Sequence, residues 1–350
     1  RGLKPFAEHL QNGNVVIYVD ILSSLLFMFS RWEESVISER DEHDRFRAEN
    51  SLAWKQKFLD LPIIDYYALI LRAWIETLVP SWKPDTNTFT VKATYDIDNV
   101  TPLKGPKMAV RAFGRDLFKL QDIGKAMGTL KDIAYQVVAP ARTTSFRGIF
   151  HLAELSQKTG VQSAFYFMAA EPGPFDNGYS PESPFIKQCI LSLQDQGFEI
   201  GLHASYRSLN DPARLASEKA RLDAVIGHPD YGGRQHYLRF KAPDTWRHWE
   251  QAGFTYDSTM AFAGREGFRC GTCHPFRPYD LLNDREMAIE EHPLIVMDAT
   301  LKNYQKYTPE EGERRILELV QRCKQVGGVL TILWHNTSLH GEWSQWAEMF

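Results

Sequence analysis

Residues 183–203 read SPFIKQCILSLQDQGFEIGLH. Phe185, Ile186, Cys189, Ile190 and Leu193 recur at helical spacing on one face. Gly197 then breaks the pattern, and FEIGLH has the length and composition of a buried strand. The same helix, glycine, strand succession returns along the chain. Asp211 and Pro212 open ARLASEKARLDAVI (213–226), and Gly227 stops it. DTWRHWEQA (244–252) runs to Gly253 and is followed by FTYDSTM (254–260). TPEEGERRILELVQRCKQV (308–326) carries acidic residues in its first turn and ends at Gly327-Gly328, before VLTILWH (329–335). Strands alternating with helices predict an α/β fold with a parallel sheet and helices outside it.

In such folds the reactive groups collect at the carboxyl ends of strands. Asp96 and Asp98 follow FTVKATY, His203 follows FEIGL, Asp257 follows FTY, and His335 follows VLTILW. A barrel would bring these four ends to one mouth. One carboxylate with one or two imidazoles suits a divalent ion such as Zn²⁺, Co²⁺, Ni²⁺ or Fe²⁺. Two carboxylates as close as those in VKATYDIDNV (91–100) repel unless they divide their work. One can coordinate while the other takes a proton from water, and His335 can protonate a leaving group. These parts predict a metal-assisted hydrolase of an amide or ester. Asp257 reads as a structural acid at a strand end.

The chain has 350 residues, 43% of them hydrophobic, which is ample for a sizeable core. A net charge of −4 gives no electrostatic case for nucleic acid. Four cysteines make no disulfide framework and point to a reducing, cytoplasmic setting. Cys270 and Cys273 form a CxxC without a second pair or a redox fold around it, so they read as structural thiols. The longest apolar run, VVIYVDILSSLLFMFSRW (15–32), is interrupted by Asp20, Ser23 and Ser24, and reads as a buried strand and helix, not a membrane span. The sequence opens on Arg1 and not on Met, which leaves room for an upstream piece. Turn residues in VPSWKPDTNT (79–88) divide an accessory domain, 1–86, from a catalytic one, 87–350. EESVISERDEHDRFRAEN (33–50) reads as a solvated, charged stretch, and residues 1–86 name no chemistry.

TYDID (94–98), GLHASY (201–206), RQHYLRF (234–240), GFTYDST (253–259) and LTILWHN (330–336) together resemble the polysaccharide deacetylases of the NodB-homology type, over roughly residues 88–338. GTCHPFRPYD (271–280) adds a likeness to a subgroup with an extra N-terminal domain. The resemblance implies a distorted (β/α) barrel with a smaller N-terminal domain. It also implies removal of an acetyl group from an N-acetylated sugar in a surface polysaccharide, lipopolysaccharide or precursor. Asp96 would be the base, Arg234 its orienting partner and His335 the acid. Asp98 and His203 would hold one divalent ion, zinc before cobalt, nickel or iron.

The family's second metal-binding histidine falls at Arg207, which stays protonated and cannot ligate. His236 is the first replacement and His274 the second. Asn99, Tyr237, His274 and Trp334 are the candidate substrate contacts, with an acetylated carbohydrate as the one partner implied. Two other readings stay open. A barrel without catalysis could only bind carbohydrate, and a glycosyltransferase could use Asp-x-Asp to hold Mn²⁺ against a nucleotide diphosphate.

Overall fold

The computed structural model of the chain describes residues 5–100, 113–114, 117 and 123–349. Eight strands make one sheet: β1 (Thr90–Ile97), β2 (Gln162–Phe167), β3 (Glu199–Ala204), β4 (Gly233–Gln235), β5 (Tyr256–Asp257), β6 (Glu290–Glu291), β7 (Val296–Met297) and β8 (Val329–His335). Their order is β6-β5-β4-β3-β2-β1-β8-β7, and every neighbouring pair is parallel. Laid flat, eight strands would separate the two edges by about 33 Å. The edges are β6 and β7, and only residues 292–295 lie between them in the chain. That connection spans at most about 18 Å. The sheet must therefore curl toward closure, with its gap between β6 and β7.

Helices cover the outside of the curl: α4 (Thr144–Thr159), α5 (Pro184–Asp195), α6 (Pro212–Ile226), α7 (Asp244–Ala252) and α8 (Pro309–Gln325), numbered to follow three N-terminal helices given below. Ile149, Leu152, Ile190, Leu193, Leu222, Trp246, Trp249 and Leu319 pack against strand residues Tyr95, Ile97, Phe165, Phe167, Leu202 and Trp334 in one buried cluster. Gly227 and Gly253 end α6 and α7 in the left-handed region, at φ +82° and +83°, where a side chain would be strained. Alternation along each strand turns every second residue to the interior. There glycine is needed where backbone and rings crowd: a Cβ on Gly201 would stand 2.4 Å from the Gly232 carbonyl oxygen and 2.7 Å from the Tyr166 ring, and one on Gly232 2.4 Å from the Tyr256 ring. The run FTYDSTM pairs only at Tyr256–Asp257, so that strand is shorter than its sequence suggests.

The three longer N-terminal helices are α1 (Ile21–Phe29), α2 (Trp32–Val36) and α3 (Ile63–Leu78), with a single turn at Leu52–Lys55 before the last. The run 15–32 forms a short strand and α1, but α1 buries only Ile21 and Met28 and leaves Leu22 78% exposed. No described helix is long and apolar enough to cross a membrane. The stretch 33–50 departs from its sequence reading. Glu33, Glu34, Arg45 and Phe46 are buried. Arg31 reaches Glu33 at 2.8 Å and Glu34 at 2.9 Å, and Arg269 from the sheet side meets Glu34 through Nη2 at 2.6 Å and Nε at 2.9 Å. Arg31 also donates to the Arg269 carbonyl at 2.7 Å. Charge content alone suggested solvent, which holds for Glu39, Glu42 and Arg47, whereas the buried Glu34 and Arg45 meet partners over 200 positions away in Arg269 and Tyr304.

Removing one partner leaves buried charge uncompensated. Glu34→Gln should destabilise the chain by about 3–5 kcal/mol, read from its urea midpoint against that of the unaltered protein. An unchanged midpoint would mean that the triad contributes nothing.

Candidate metal centre and active site

Alternation explains why Asp-x-Asp matters. Asp96 and Asp98, two residues apart, both face the interior, while Tyr95 and Ile97 face the helices. They line a cavity of about 560 Å³ together with His203, His236, Tyr237, Leu333 and His335. Asp98 Oδ1 lies 3.1 Å from His203 Nε2 and 3.6 Å from His236 Nε2, and Asp98 Oδ2 lies 3.7 Å from His335 Nε2.

Each imidazole is fixed through its other nitrogen. His203 Nδ1 stands 3.0 Å from the Arg234 carbonyl, which can only accept, so the lone pair of the neutral ring is at Nε2. His236 Nδ1 meets Asp176 at 2.9 Å, and His335 Nδ1 meets Asp298 at 2.7 Å. Such outer partners set the tautomer and aim of metal-binding or proton-transferring imidazoles. Asp176 also accepts from the Tyr206 amide at 2.8 Å, and Asp298 from the His335 amide at 2.9 Å.

Asp98 Oδ1 and His203 Nε2 are buried, and neither completes a hydrogen bond despite their proximity. Asp98, His203 and His236 offer ligand atoms within 4.8 Å of one another. Two imidazoles and a carboxylate are a donor set suited to a first-row divalent ion, with positions left for water or substrate. The residues present fit such an ion. Arg207 is exposed and stands outside this cluster, and His236 is the third member of the group.

Asp96 is managed separately. Arg234 Nη1 donates to its Oδ1 and to the Thr94 hydroxyl, both at 2.9 Å, while Nε reaches the Ser258 carbonyl at 2.7 Å and Nη2 the Ser258 hydroxyl at 3.0 Å. Its other oxygen is 3.6 Å from His203 Nε2. Asp257 stands behind this network and outside the cavity; its Oδ1 accepts from the Thr259 hydroxyl at 2.5 Å. Burial pushes the Asp257 carboxyl up to about 6, and burial together with the charge of Asp257 holds Glu291 well above the usual carboxylate range.

Three predicted contacts are placed elsewhere. Trp334 neighbours His335 on β8 and so faces the helices, 1% exposed in the main core, and offers no ring to the cavity. His274 sits near the start of β8, 3.2 Å from the Val326 carbonyl, at the opposite end from His335. Asn99 stays outside the cavity wall: its side chain accepts from Asn177, which does line it, and its carbonyl accepts from Asn336 at 2.6 Å. Tyr237 lines the cavity in a left-handed conformation, φ +62°, followed by Leu238 at +52°. Two such residues in succession hold strain of about 1–3 kcal/mol each, which surrounding contacts must offset.

Those contacts come from a segment whose sequence named no chemistry. Arg45 lines the cavity and donates to the Tyr237 carbonyl at 3.1 Å and the Tyr304 hydroxyl at 3.3 Å, steadied by Asp41 at 2.8 Å. The His43 ring lies 4.7 Å from that of Tyr237. Asp176, Asp298 and Arg45 were all missed in the sequence. Asp298 follows Val296–Met297 and obeys the strand-end rule; Asp176 and Arg45 are in loops and leave no such signal. A larger cleft of about 860 Å³, lined by Trp54, Arg265 and Tyr307, holds Arg315 paired with Glu266 and Glu318, and no cluster of metal-ligating groups.

A family model described as a family of unknown function, DUF7033, matches residues 2–80. No curated protein matches the chain. Among solved structures, a crystal structure of a Mycobacterium smegmatis protein, provisionally named a polysaccharide deacetylase, is similar at 18% identity and a TM-score of 0.48, covering 77% of this chain and 84% of that one.

Burial would lower His236, but Asp98 and Asp176 outweigh it and hold the metal-free ring up at about 9. A metal must displace that proton. Apparent affinity for Zn²⁺ should therefore weaken as pH falls below about 9, approaching tenfold per unit, in chelator-competition titrations. Asp176→Asn should cost about 10–100-fold in affinity without removing a ligand, and unchanged affinity would exclude His236 as one.

Proposed function

We propose that this chain is a metal-dependent carbohydrate deacetylase, with a NodB-type barrel at 87–350 and an accessory unit at 1–86. Its substrate would be an N-acetylated sugar of a surface polysaccharide, lipopolysaccharide or precursor. One observation carries the reading: Asp98, His203 and His236 converge between a carboxylate fixed by an arginine and an imidazole fixed by a carboxylate. The motif order in the sequence supports it.

Asp98, His203 and His236 hold one divalent ion in this scheme, zinc before cobalt, nickel or iron. When bound, the ion polarises the acetyl carbonyl and makes water more acidic. Asp96 accepts a proton from the water whose oxygen attacks the carbonyl carbon, and Arg234 holds Asp96 aimed. As the carbon–nitrogen bond breaks, His335 gives its proton to the departing amine, and acetate remains. Burial works against a protonated His335, but Asp298, and behind it Asp98 and Asp96, raise it to about 10, so it enters the reaction carrying the proton it must give. A bound dication opposes that rise. Phe175, Tyr237, Tyr304 and Trp343 give the cavity apolar faces for sugar rings, and Asn177 and Asn303 give it amides for their hydroxyls.

The test is acetate release from N-acetylglucosamine oligomers by the purified chain with Zn²⁺ or Co²⁺. Asp96→Asn and His335→Ala should each lower kcat by about 10²–10⁴-fold with the metal retained, whereas Asp98→Asn should lose the metal itself. No acetate from any N-acetylated sugar with either ion would sink the proposal.

A further inference from the structure

A second group of metal-ligating side chains lies away from the cavity. Asp65 on α3, with Cys273 and His274 in the loop after Gly271, offers ligand atoms within 4.8 Å of one another. The thiol of Cys323, near the end of α8, is buried in the same cluster as Cys273 and, as its neighbour, helps hold that thiol protonated. Asp65 is 8%, Cys273 1% and Cys323 0% exposed, so two thiols, a carboxylate and an imidazole gather in and beside a largely apolar core. We propose that Asp65, Cys273, His274 and Cys323 form a second, structural metal site that takes one zinc-class divalent ion and staples α3 to the sheet.

The geometry suits that chemistry. Asp65 Oδ2 and Cys273 Sγ are 3.4 Å apart. A tetrahedral zinc with ordinary bond lengths sets a sulfur and an oxygen about 3.6 Å apart. Closing Asp65, Cys273 and His274, now within 4.8 Å of one another, onto one ion needs a contraction of up to about 1 Å, within the reach of side-chain rotation. Space for the thiol is built into the backbone, because a Cβ on Gly328 would stand 2.1 Å from Cys273 Sγ. A carbonyl contact from His274 Nε2 to Val326, 3.2 Å, is of the kind that orients metal-binding imidazoles. Asp65, Thr272 and His274 also line a cleft of about 640 Å³, which gives an ion a route in from solvent.

The donors belong to three stretches far apart in the chain, so binding here closes two long loops. Asp65 already accepts from the Thr272 hydroxyl at 2.6 Å and the Cys273 amide at 3.0 Å, holding the loop near the ligand arrangement. Binding releases the thiol protons to solvent and changes no oxidation state. The site stands independently of the deacetylase reading, because it shares no residue with the first centre and its donors differ in kind. Thiolates are present here and absent there.

That difference decides the test. The full chain, stripped with chelator and reloaded with cobalt(II) chloride, should bind two ions and show a near-ultraviolet sulfur-to-cobalt charge-transfer band. Cys273→Ser and Cys323→Ser should each lose the band and one ion. Asp98→Asn should lose one ion and keep the band, and its thermal midpoint should still rise when zinc chloride is added. A cobalt-loaded chain without the band would overturn the proposal, whichever way the acetate assay falls. So would a folded Cys273→Ser chain that keeps its second ion. Should the serine variants fail to fold, the band and stoichiometry of the unaltered chain and of Asp98→Asn still decide.

Discussion

A guanidinium with no surface exposed to water is tolerated only when acceptors surround it, and Arg234 is such a group. Its side chain holds Asp96 and Thr94 on β1 and both oxygens of Ser258 after β5, while its own carbonyl fixes the tautomer of His203 on β3. One residue on β4 thus sets the aim of two neighbours in the cavity. Thr94 passes the restraint on by donating to the Ile332 carbonyl on β8 at 2.7 Å. Strand pairing supplies the frame, and this buried fork gives the frame a fixed interior.

The electrostatics follow from that crowding. Asp96, Asp98, Asp176 and Asp298 meet three imidazoles, with Arg234 behind Asp96 and Arg45 at the wall. Burial penalises every one of these charges, yet Asp98 stays well below the usual carboxylate range because His236, His203 and His335 surround it. Protonated His236 and His335 supply the compensating charge when no ion is bound. A dication would take over that part, which is why metal and protons compete for the same site.

The segment matched by the family of unknown function is built into the same arrangement. It is anchored by buried ion pairs at Arg31, Glu34 and Arg269, and by Asp65 against the loop at 272–273. From that anchorage Arg45 reaches the Tyr237 carbonyl, in the turn that follows His236. Whatever ligand enters the cavity therefore meets a wall contributed by Arg45 as well as by the sheet. The strain at Tyr237 and Leu238 is held at the place where shape matters most to a proposed ligand.

What the sequence determined by itself is what local periodicity can carry. Helix and strand alternation gave the parallel α/β sheet, and two-residue spacing put Asp96 with Asp98, and Arg234 with His236, on common faces. The same parity places Trp334 opposite His335, so its proposed contact with sugar fails on a rule legible in the chain. Asp298 was legible too, but β7 is only two residues long and gives little pattern to read. Tertiary structure alone decided that His236 and not His274 joins Asp98 and His203, that Asp176 fixes it, and that Glu33, Glu34 and Arg45 of an otherwise solvated charged stretch are buried. The reason is physical: spacing along a strand is set by bonds, whereas the meeting of loops depends on how far a sheet curls and on which distant charge can satisfy another.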